Sequence, residues 1–468
     1  MKLASVRTKM KLLAAATISL GAIAAQALPV IPGAAGFGID TPAGRGGTVH
    51  RVTNLNASGS GSLKACIDAS GPRVCVFEVS GTIRLTSDLM VRNNNLTIAG
   101  QTAPSPGILL RGAALRIQAS HVLVQHLRIR VGDDANGPDP SNRDALKIEG
   151  SDTKPVTNVV IDHCSFSWAI DEIASVWGNY DNITLSNNIF AEPLDQSIHP
   201  TDDGSAIERH GYGLILGSNS GQGRVTVVGN LFAHIVERNP LSRARNLVFA
   251  NNVVYNRANM DVDLQSASGR QTNSSVVGNV FLRGPNFTRN TRPIYVRTSG
   301  EYALASSGRV HQADNHAPES GSTASQLLQF TGTQFSGMMV TSPPVWNTGF
   351  TARSTANNAV YDRVLRNAGA RPADRDSVDK RIVGSVRNRN GRIINCVASN
   401  GTSRCNLNAG GWPTIARNTR RLTLPSSATT VASNGYTNLE NWLNSLDAAV
   451  CGTVQTASPS APPSVSVQ

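Results

Sequence analysis

The stretch RVTVVGNLFAH, residues 224–234, is followed twelve residues on by NLVFANNVVYN, residues 246–256. Each consists of a short run of β-branched and apolar residues, a polar position, and a second short apolar run. β-branched and aromatic residues favour strands, and Asn and Gly between two runs favour a bend. The pattern predicts pairs of short strands joined by a bend.

The same pattern occurs in six segments of the chain. They are HVLVQHLRIRV (121–131), NVVIDHCSFSW (158–168), NITLSNNIFAE (182–192), RVTVVGNLFAH (224–234), NLVFANNVVYN (246–256) and SSVVGNVFLRG (274–284). We align them on the polar residues His126, Cys164, Asn188, Asn230, Asn252 and Asn279, which are 38, 24, 42, 22 and 27 residues apart. The shorter intervals match one coil of a parallel β-helix, and the longer ones match a coil with an inserted loop. We therefore predict an all-β, right-handed parallel β-helix.

The asparagines have a physical role in such a fold. Asn tolerates left-handed backbone at a bend, and its amide can bond to the same group one coil above, which gives an asparagine ladder. The alternative, an antiparallel sandwich, should show two-residue hairpin turns and clean alternation, and these segments show neither well.

The predicted β-helix occupies residues 28–345. A helix around Gly61 to Ala69 is expected to cap the open end of the coil stack. Beyond about Thr341 the repeat fades, and residues 346–452 are predicted to form a small helical extension that packs on the β-helix.

Two helices are predicted in that extension. NAVYDRVLRNA, residues 358–368, spaces Val360, Val364 and Leu365 helically. Thr437 and Glu440 form a capping-box pattern at the start of a second helix, with Leu439, Trp442, Leu443 and Leu446 on one face. Residues 453–468 are Pro- and Ser-rich and are predicted to be a disordered tail.

The N-terminus predicts export. Residues 1–27 combine four basic residues, an apolar run and small residues around Ala27, which is the pattern of a cleavable signal peptide. The apolar run is too short for a membrane span. Cleavage near Ala27 would lower the formal net charge from +12 to +8. A basic secreted protein suits a polyanionic partner, although charge can serve solubility alone. Long basic runs and aromatic-basic patches are absent, so nucleic acid is not predicted.

Export also frames the six cysteines, because disulfides persist in oxidising compartments. Cys66 and Cys75 could close one short loop, and Cys396 and Cys405 another. Cys164 and Cys451 are left over. Cys164 lies in an apolar strand pattern and is expected to be a small buried residue.

Five segments carry a resemblance to a known family. They are GRGGTVHRVTNLNASGSGSLKACI (44–67), NVVIDHCSF (158–166), RNPLSR (238–243), RDSVDKRIVGSVRN (375–388) and NGYTNLENWLNSL (434–446). Together with the coil repeat they resemble the secreted pectate lyases of polysaccharide lyase family 1, and the terminal segments are similar to those of bacterial members. The resemblance implies a monomer that uses Ca²⁺ to cleave pectate, a polyanionic plant cell-wall polysaccharide, by β-elimination.

The Arg-x-Pro-x-x-Arg motif is the most specific part of this resemblance. β-Elimination needs a base at C5 of the galacturonate and neutralisation of the C6 carboxylate. The resemblance assigns the base to Arg238 and carboxylate binding to Arg243, whose planar fork suits a carboxylate. Pro240 stiffens the segment between them. The alternative is an ordinary ion pair of these arginines with Glu237 or another acid.

The resemblance also implies a calcium site, because Ca²⁺ prefers six to eight oxygen ligands. Asp144 matches the second acid of the family's Asp-x-Asp pair, Asp171 matches the next ligand, and Glu172 is adjacent. Two expected acids are neutral here, since Asn142 and Ser175 stand in their places.

The family's substrate-binding lysine has no counterpart in IERHGYGLILG, residues 207–217. His210 is the nearest replacement, and a structural histidine bonding a loop carbonyl is the alternative. Asp162 and His163 belong to the family motif and are expected to organise the cleft from a strand end.

Three other functions remain open at this point. A pectin lyase would cleave methyl-esterified chains without calcium and would line its cleft with aromatic residues. A non-catalytic β-helical binding protein would need no arginine pair over an acidic pocket. A glycoside hydrolase would need a poised carboxylate pair, and no Asn-Thr-Asp or paired-Asp segment is found.

Overall fold

The computed structural model describes residues 28–217, 223–267, 269–346 and 359–452. The predicted signal peptide and the predicted tail lie outside these ranges. The described strands form three sheets in which all neighbours within a sheet are parallel. The chain passes through the sheets in turn and repeats, so each circuit is one coil. The predicted parallel β-helix is confirmed.

The first sheet has ten strands. They are Thr48–Val52, Arg73–Phe77, Leu96–Ala99, Val122–Gln125, Val156–Asp162, Tyr180–Ser186, Arg224–Val228, Asn246–Ala250, Asn273–Val277 and Arg309–Ala313. The second sheet has eight strands. They are Gly81–Arg84, Ile108–Arg111, Leu127–Arg130, Ser165–Ser167, Ile189–Ala191, Leu231–Ala233, Val253–Tyr255 and Val280–Leu282.

The third sheet has nine strands and carries the cleft described below. They are Leu89–Val91, Leu115–Ile117, Leu146–Gly150, Glu172–Gly178, Tyr212–Leu216, Leu241–Ser242, Val262–Leu264, Ile294–Val296 and Leu328–Phe330. The space between the sheets is filled by side chains stacked coil upon coil. Phe166, Phe190 and Phe232 stack in successive coils with ring centroids 5.3 and 5.0 Å apart.

The predicted asparagine ladder is present, and each asparagine side chain bonds to the preceding coil. The Oδ1 of Asn188, Asn230, Asn252 and Asn279 accepts the backbone N–H of the matching residue in the preceding coil, at 2.8–2.9 Å. Asn315, which the sequence alignment missed, continues the ladder by accepting from the Asn279 N–H at 3.0 Å. These bonds satisfy buried amide groups that could not reach water.

Two details of the predicted ladder were wrong. The left-handed backbone belongs to the residue before each ladder asparagine, as at Asn187 (φ 53°) and Asn251 (φ 53°). His126 is also left-handed (φ 57°), and its N–H donates to the carbonyl of His163. His126 therefore corresponds to His163 and not to Cys164, so the first repeat was aligned one residue out of register.

The N-terminal cap is present as helix α1, Leu63–Asp68. Ser62 caps it by accepting from the Ala65 N–H, and a Cys66–Cys75 disulfide joins it to the first sheet. The other predicted pair, Cys396–Cys405, is also a disulfide, and Cys164 is a buried free thiol as expected.

Four further helices follow among the described residues: α2, Ala324–Leu327; α3, Ala359–Asn367; α4, Ser377–Arg387; and α5, Asn438–Cys451. The predicted helix at 358–368 is α3, which buries Val360, Val364 and Leu365. The predicted capping box of Thr437 and Glu440 begins α5. No described helix has the length and apolar character that crossing a bilayer requires. The boundary near residue 345 stays a prediction.

Helices α3 and α4 pack on the second sheet, and α5 packs on the first. Helix α4 is held by buried charges: Arg130 donates to both Asp376 and Asp379 at 2.6–3.1 Å. Helix α5 rests Leu439 and Leu443 against the first sheet. The helices thus cover two sheets and leave the third sheet free for the cleft.

Candidate active site

A cleft of about 830 Å³ lies on the outer face of the third sheet. It is lined by nearly all the residues that the sequence singled out: Asn142, Asp144, Asp171, Glu172, Ser175, His210, Arg238 and Arg243. Five of them lie at the first residue of a third-sheet strand or within the three residues before it: Asp144, Asp171, Glu172, His210 and Arg238. Parallel strands in register place these positions one above another, so residues distant in the sequence meet at one edge.

Arg238 projects into the cleft from a strained backbone position. Its φ of 66° is in the left-handed region, which is unusual for a residue other than glycine. Its guanidinium forms an ion pair with Glu172 and lies 4.1 Å from the ring centroid of Tyr212. Burial lowers the pKa of Arg238 to about 10; Asp171 opposes this shift and Arg243 adds to it.

Arg243 lies beside Arg238 in different surroundings. Its Nε donates to Gln265 Oε1 at 2.9 Å, and its guanidinium lies 3.8 Å from the ring centroid of Tyr302. Burial lowers its pKa as well. Neither arginine pairs with Glu237, which accepts a hydrogen bond from Asn259 instead. Arg238 does pair with an acid, as the alternative interpretation expected, but that acid is Glu172, a predicted metal ligand.

Asp144, Asp171 and Glu172 come together as expected, each offering a carboxylate oxygen within 4.8 Å of the others. Asp144 is buried; its Oδ2 accepts from Ser175 Oγ at 2.5 Å and its Oδ1 has no hydrogen bond. Burial, together with the charge of Asp171, raises the pKa of Asp144 to about 7. Oxygen donors with an unsatisfied buried oxygen fit a hard cation such as Ca²⁺.

Lys147 was not singled out from the sequence, yet it reaches the same carboxylates. Its ammonium group is buried, donates to Asn142, and lies 3.7 Å from Asp144 Oδ1 and 3.6 Å from Glu149 Oε1. In the sheet register Lys147 lies opposite Ser175. The two positions where an acid was expected and found neutral, Asn142 and Ser175, are therefore neighbours of a fixed cation. Its alternation with the apolar Leu146 and Ile148 could have indicated an outward-facing lysine.

His210 faces Asp171 and bonds no loop carbonyl through its ring. Its Nε2 lies 2.9 Å from Asp171 Oδ1, and its Nδ1 lies 3.1 Å from Glu208 Oε1. The ring stacks on that of His199 at 3.8 Å, and burial lowers the pKa of His199, as does the neighbouring His210. His199 was missed because it lies in a long loop, 192–211, that has no strand pattern.

Asp162 and His163 do not organise the cleft, and that expectation was wrong. They lie at the bend between the first and second sheets, where Asp162 accepts from His163 Nδ1 at 2.7 Å and from Ser186 Oγ at 2.6 Å. Their neighbours belong to helix α5, since Cys451 faces His163. The bend positions of a coil face a different side from the third sheet.

Comparison with known proteins identifies relatives over nearly the whole chain. A protein of Neosartorya fischeri named "Probable pectate lyase C" is 32% identical over 93% of this chain and 99% of its own length. One of the same name from Aspergillus flavus is 32% identical over 90% of this chain and 94% of its own length. Among solved structures, that of Jun a 1, the major cedar-pollen allergen, has a TM-score of 0.51 at 20% identity and covers 71% of this chain and 91% of that chain. No protein-family model matches the chain.

Fold and cleft together define a parallel β-helix protein with an arginine pair over clustered carboxylates. The likeness to a solved structure supports the fold alone. The relatives that match over nearly the whole chain also identify the family. The chain belongs to the pectate lyase family. Both relatives are fungal, so the expected placement with bacterial members is not supported.

Proposed function

We propose that this protein is a secreted pectate lyase that cleaves (1→4)-α-D-galacturonan by β-elimination and yields 4,5-unsaturated oligogalacturonides. The observation that carries the proposal is the position of Arg238 and Arg243 in one cleft with Asp144, Asp171 and Glu172. A base beside clustered carboxylates suits proton removal next to a substrate carboxylate held through a cation.

Arg238 is proposed as the base. In its neutral form the guanidine takes the C5 proton, and the C5–H electrons delocalise into the C6 carboxylate. The C4–O bond then breaks to leave a C4–C5 double bond, and the departing glycosidic oxygen keeps the bonding pair and takes a proton from solvent. The pKa of about 10 makes the neutral form accessible under alkaline conditions. The Glu172 ion pair must open first, because it holds the guanidinium in its charged form.

Arg243 is proposed to bind a substrate carboxylate through its bidentate fork, and its place over Tyr302 fixes the plane of that fork. His210 is proposed as a further substrate-binding group at the Asp171 side of the cleft. Both are proposed to position the substrate chain and not to take the proton.

Asp144, Asp171 and Glu172 are the residues that would hold Ca²⁺. Bound there, calcium supplies charge neutralisation for the substrate carboxylate. The calculated charge of +8 for the chain without residues 1–27 suits capture of a polyanion outside the cell, and we propose that the protein acts as a monomer.

The test follows the ultraviolet absorbance of the unsaturated product with polygalacturonate at alkaline pH. We expect absorbance to rise with added calcium and to stop with chelator. Reducing sugar without absorbance would indicate a hydrolase, and binding without either product would indicate a non-catalytic module.

One observation favours a second candidate, a calcium-independent pectin lyase. Lys147 places an ammonium group beside Asp144, and Trp177, 36% exposed, adds an aromatic side chain to the cleft wall. Methyl-esterified pectin as substrate, with and without chelator, separates the two candidates. Preference for the ester at a rate that chelator does not change would overturn the pectate assignment.

A further inference from the structure

A second cluster of polar side chains lies outside the cleft, where helix α5 crosses the bend between the first and second sheets. It consists of His126, His163, Asp447 and Cys451, each offering one nitrogen, oxygen or sulfur atom within 4.8 Å of the others. None of these residues lines the cleft or enters the proposed reaction.

The two histidines come from equivalent positions in adjacent coils. Both have left-handed backbone, with φ of 57° at His126 and 48° at His163, so both side chains leave the coil in the same direction. Their rings stack with centroids 5.2 Å apart, close to the distance between coils. His126 is buried, and the His163 side chain is 12% exposed.

Each imidazole is fixed through its Nδ1. His126 Nδ1 lies 2.6 Å from the Ala370 carbonyl oxygen, and His163 Nδ1 lies 2.7 Å from Asp162 Oδ2. Both partners can only accept, so both Nδ1 atoms carry the proton. Asp162 is itself oriented by Ser186 and Asn187. A histidine whose Nδ1–H is bound to a carbonyl or carboxylate is oriented to give Nε2 to a metal ion.

Helix α5 supplies the other two groups. Asp447 and Cys451 are four residues apart and share one helix face. Asp447 Oδ1 lies 2.6 Å from His126 Nε2, and Cys451 lies within hydrogen-bonding reach of His163. The Asp447 side chain is 24% exposed, which leaves a route from solvent to an otherwise buried cluster.

The arrangement has a surplus of electron-pair donors. The cluster brings together a ring nitrogen from each histidine, a carboxylate oxygen and a thiol sulfur. One divalent ion could meet all four donors. A Cys, two His and one Asp form a donor set that suits Zn²⁺ and not Ca²⁺.

We propose that His126, His163, Asp447 and Cys451 form a tetrahedral site for Zn²⁺, or a similar transition-metal ion, that fastens helix α5 to the first coils. Ligands at about 2.0–2.3 Å from a tetrahedral zinc are separated by roughly 3.3–3.8 Å. The His126–Asp447 contact must therefore open by less than about 1 Å, which rotation of the Asp447 side chain can supply. Metal binding at this site does not depend on the proposed lyase activity.

The test uses full-length protein that has been stripped with chelator and dialysed. Titration with Zn²⁺ should show one tight equivalent by calorimetry and raise the Tm by several degrees, because an ion that binds only the folded state stabilises it. Co²⁺ should give tetrahedral d–d bands together with a sulfur-to-cobalt charge-transfer band, which only a cysteine ligand produces.

Variants locate the ion. Cys451→Ser should abolish the charge-transfer band, and the near-isosteric Asp447→Asn should weaken Zn²⁺ binding at least tenfold while the protein stays folded. Cys164→Ser is the matched thiol control and should keep the band. A His199→Ala/His210→Ala double variant removes the imidazoles of the cleft and should bind the ion as the wild type does. Absence of stoichiometric binding, or a band that survives Cys451→Ser, would overturn the proposal.

Discussion

Arg238 and Arg243 differ in their contacts although they belong to one short motif. Arg238 is paired with a carboxylate over Tyr212, and Arg243 is held by an amide over Tyr302. The backbone of Arg238 is left-handed, so its side chain leaves the coil at an angle that the rest of the motif does not share. The two side chains are chemically identical, so we attribute their different proposed roles to their different surroundings.

Arg238→Lys tests that division. A lysine keeps the positive charge but cannot match the reach, plane or basicity of the group facing C5, so kcat should fall at least a hundredfold with substrate binding retained. The measurement is kcat and KM on polygalacturonate, with Tm to confirm folding. Near-normal kcat would remove Arg238 as the base.

Arg243→Lys is the paired control. It loses only the bidentate fork, so KM should rise more than kcat falls. Both variants should melt close to the wild type, because lysine keeps the positive charge beside the cleft carboxylates. Equal effects of the two variants on kcat would contradict the proposed roles.

The pKa of Arg238 sets a pH dependence. A base works when deprotonated, and below a pKa of about 10 its neutral fraction rises tenfold with each pH unit. We expect log kcat/KM to rise with a slope near one from about pH 7.5 and to level off near pH 10. The profile is measured at constant ionic strength and saturating calcium. A flat profile between pH 7.5 and 9 would assign proton removal to another group.

Lys147 neutralises part of the negative charge of the cleft carboxylates, and it therefore affects how strongly they bind a cation. In Lys147→Met the positive charge beside Asp144 is lost, so calcium should bind more tightly and the calcium concentration that gives half-maximal activity should fall. Asn142→Asp alone should tighten calcium only weakly, because the new carboxylate would face the Lys147 ammonium. The double variant should bind calcium tighter than either single variant. Calorimetric calcium affinity provides a readout independent of turnover, and identical affinities in all four proteins would place Lys147 outside the cation site.

Among the elements, helix α4 depends on buried charge as well as on apolar packing. Asp379 is fully buried and accepts from Arg130 at 2.8 Å and from Ser165 Oγ at 2.7 Å. Asp379→Asn leaves Arg128 and Arg130 with one carboxylate, Asp376, and should lower the free energy of unfolding by about 3–5 kcal/mol. Denaturant unfolding measures this.

The matched control for that variant is Asp362→Asn on helix α3, where the side chain is exposed. A substitution there should change stability by less than about 0.5 kcal/mol. A cost for Asp379→Asn as small as that of Asp362→Asn would show that α4 is held by its apolar face alone.

Coil repeats were predictable from the sequence because each coil repeats the same burial and the same bend. The error at His126 has a physical origin: the alignment followed polar residues, whereas the coil is defined by the left-handed position and the residue after it. Lys147 and His199 could not be predicted from the motif, since their partners lie on other coils or in a loop without periodicity. The Arg130–Asp379 pair joins residues 249 apart, and no local pattern indicates it.

At the scale of the whole molecule, the three sheets have separate tasks. The third sheet carries the cleft, and the first and second sheets are covered by the C-terminal helices. One loop, 192–211, brings both His199 and His210 to the cleft without changing the stack beneath. The coils that support the cleft and the reactive side chains that line it can therefore vary independently.

The position of helix α5 has a consequence for the order of folding. Neighbouring coils pair strands that are close in sequence, whereas His126 and Asp447 are 321 residues apart. Contacts of large sequence separation form late, because the loop that they close costs entropy before any contact repays it. The first coils can therefore stack before α5 has docked. Val74 and Val76 stay exposed until Leu439 and Leu443 pack on them. Docking of α5 then buries an apolar patch that chaperones and proteases would otherwise recognise on an incompletely folded chain.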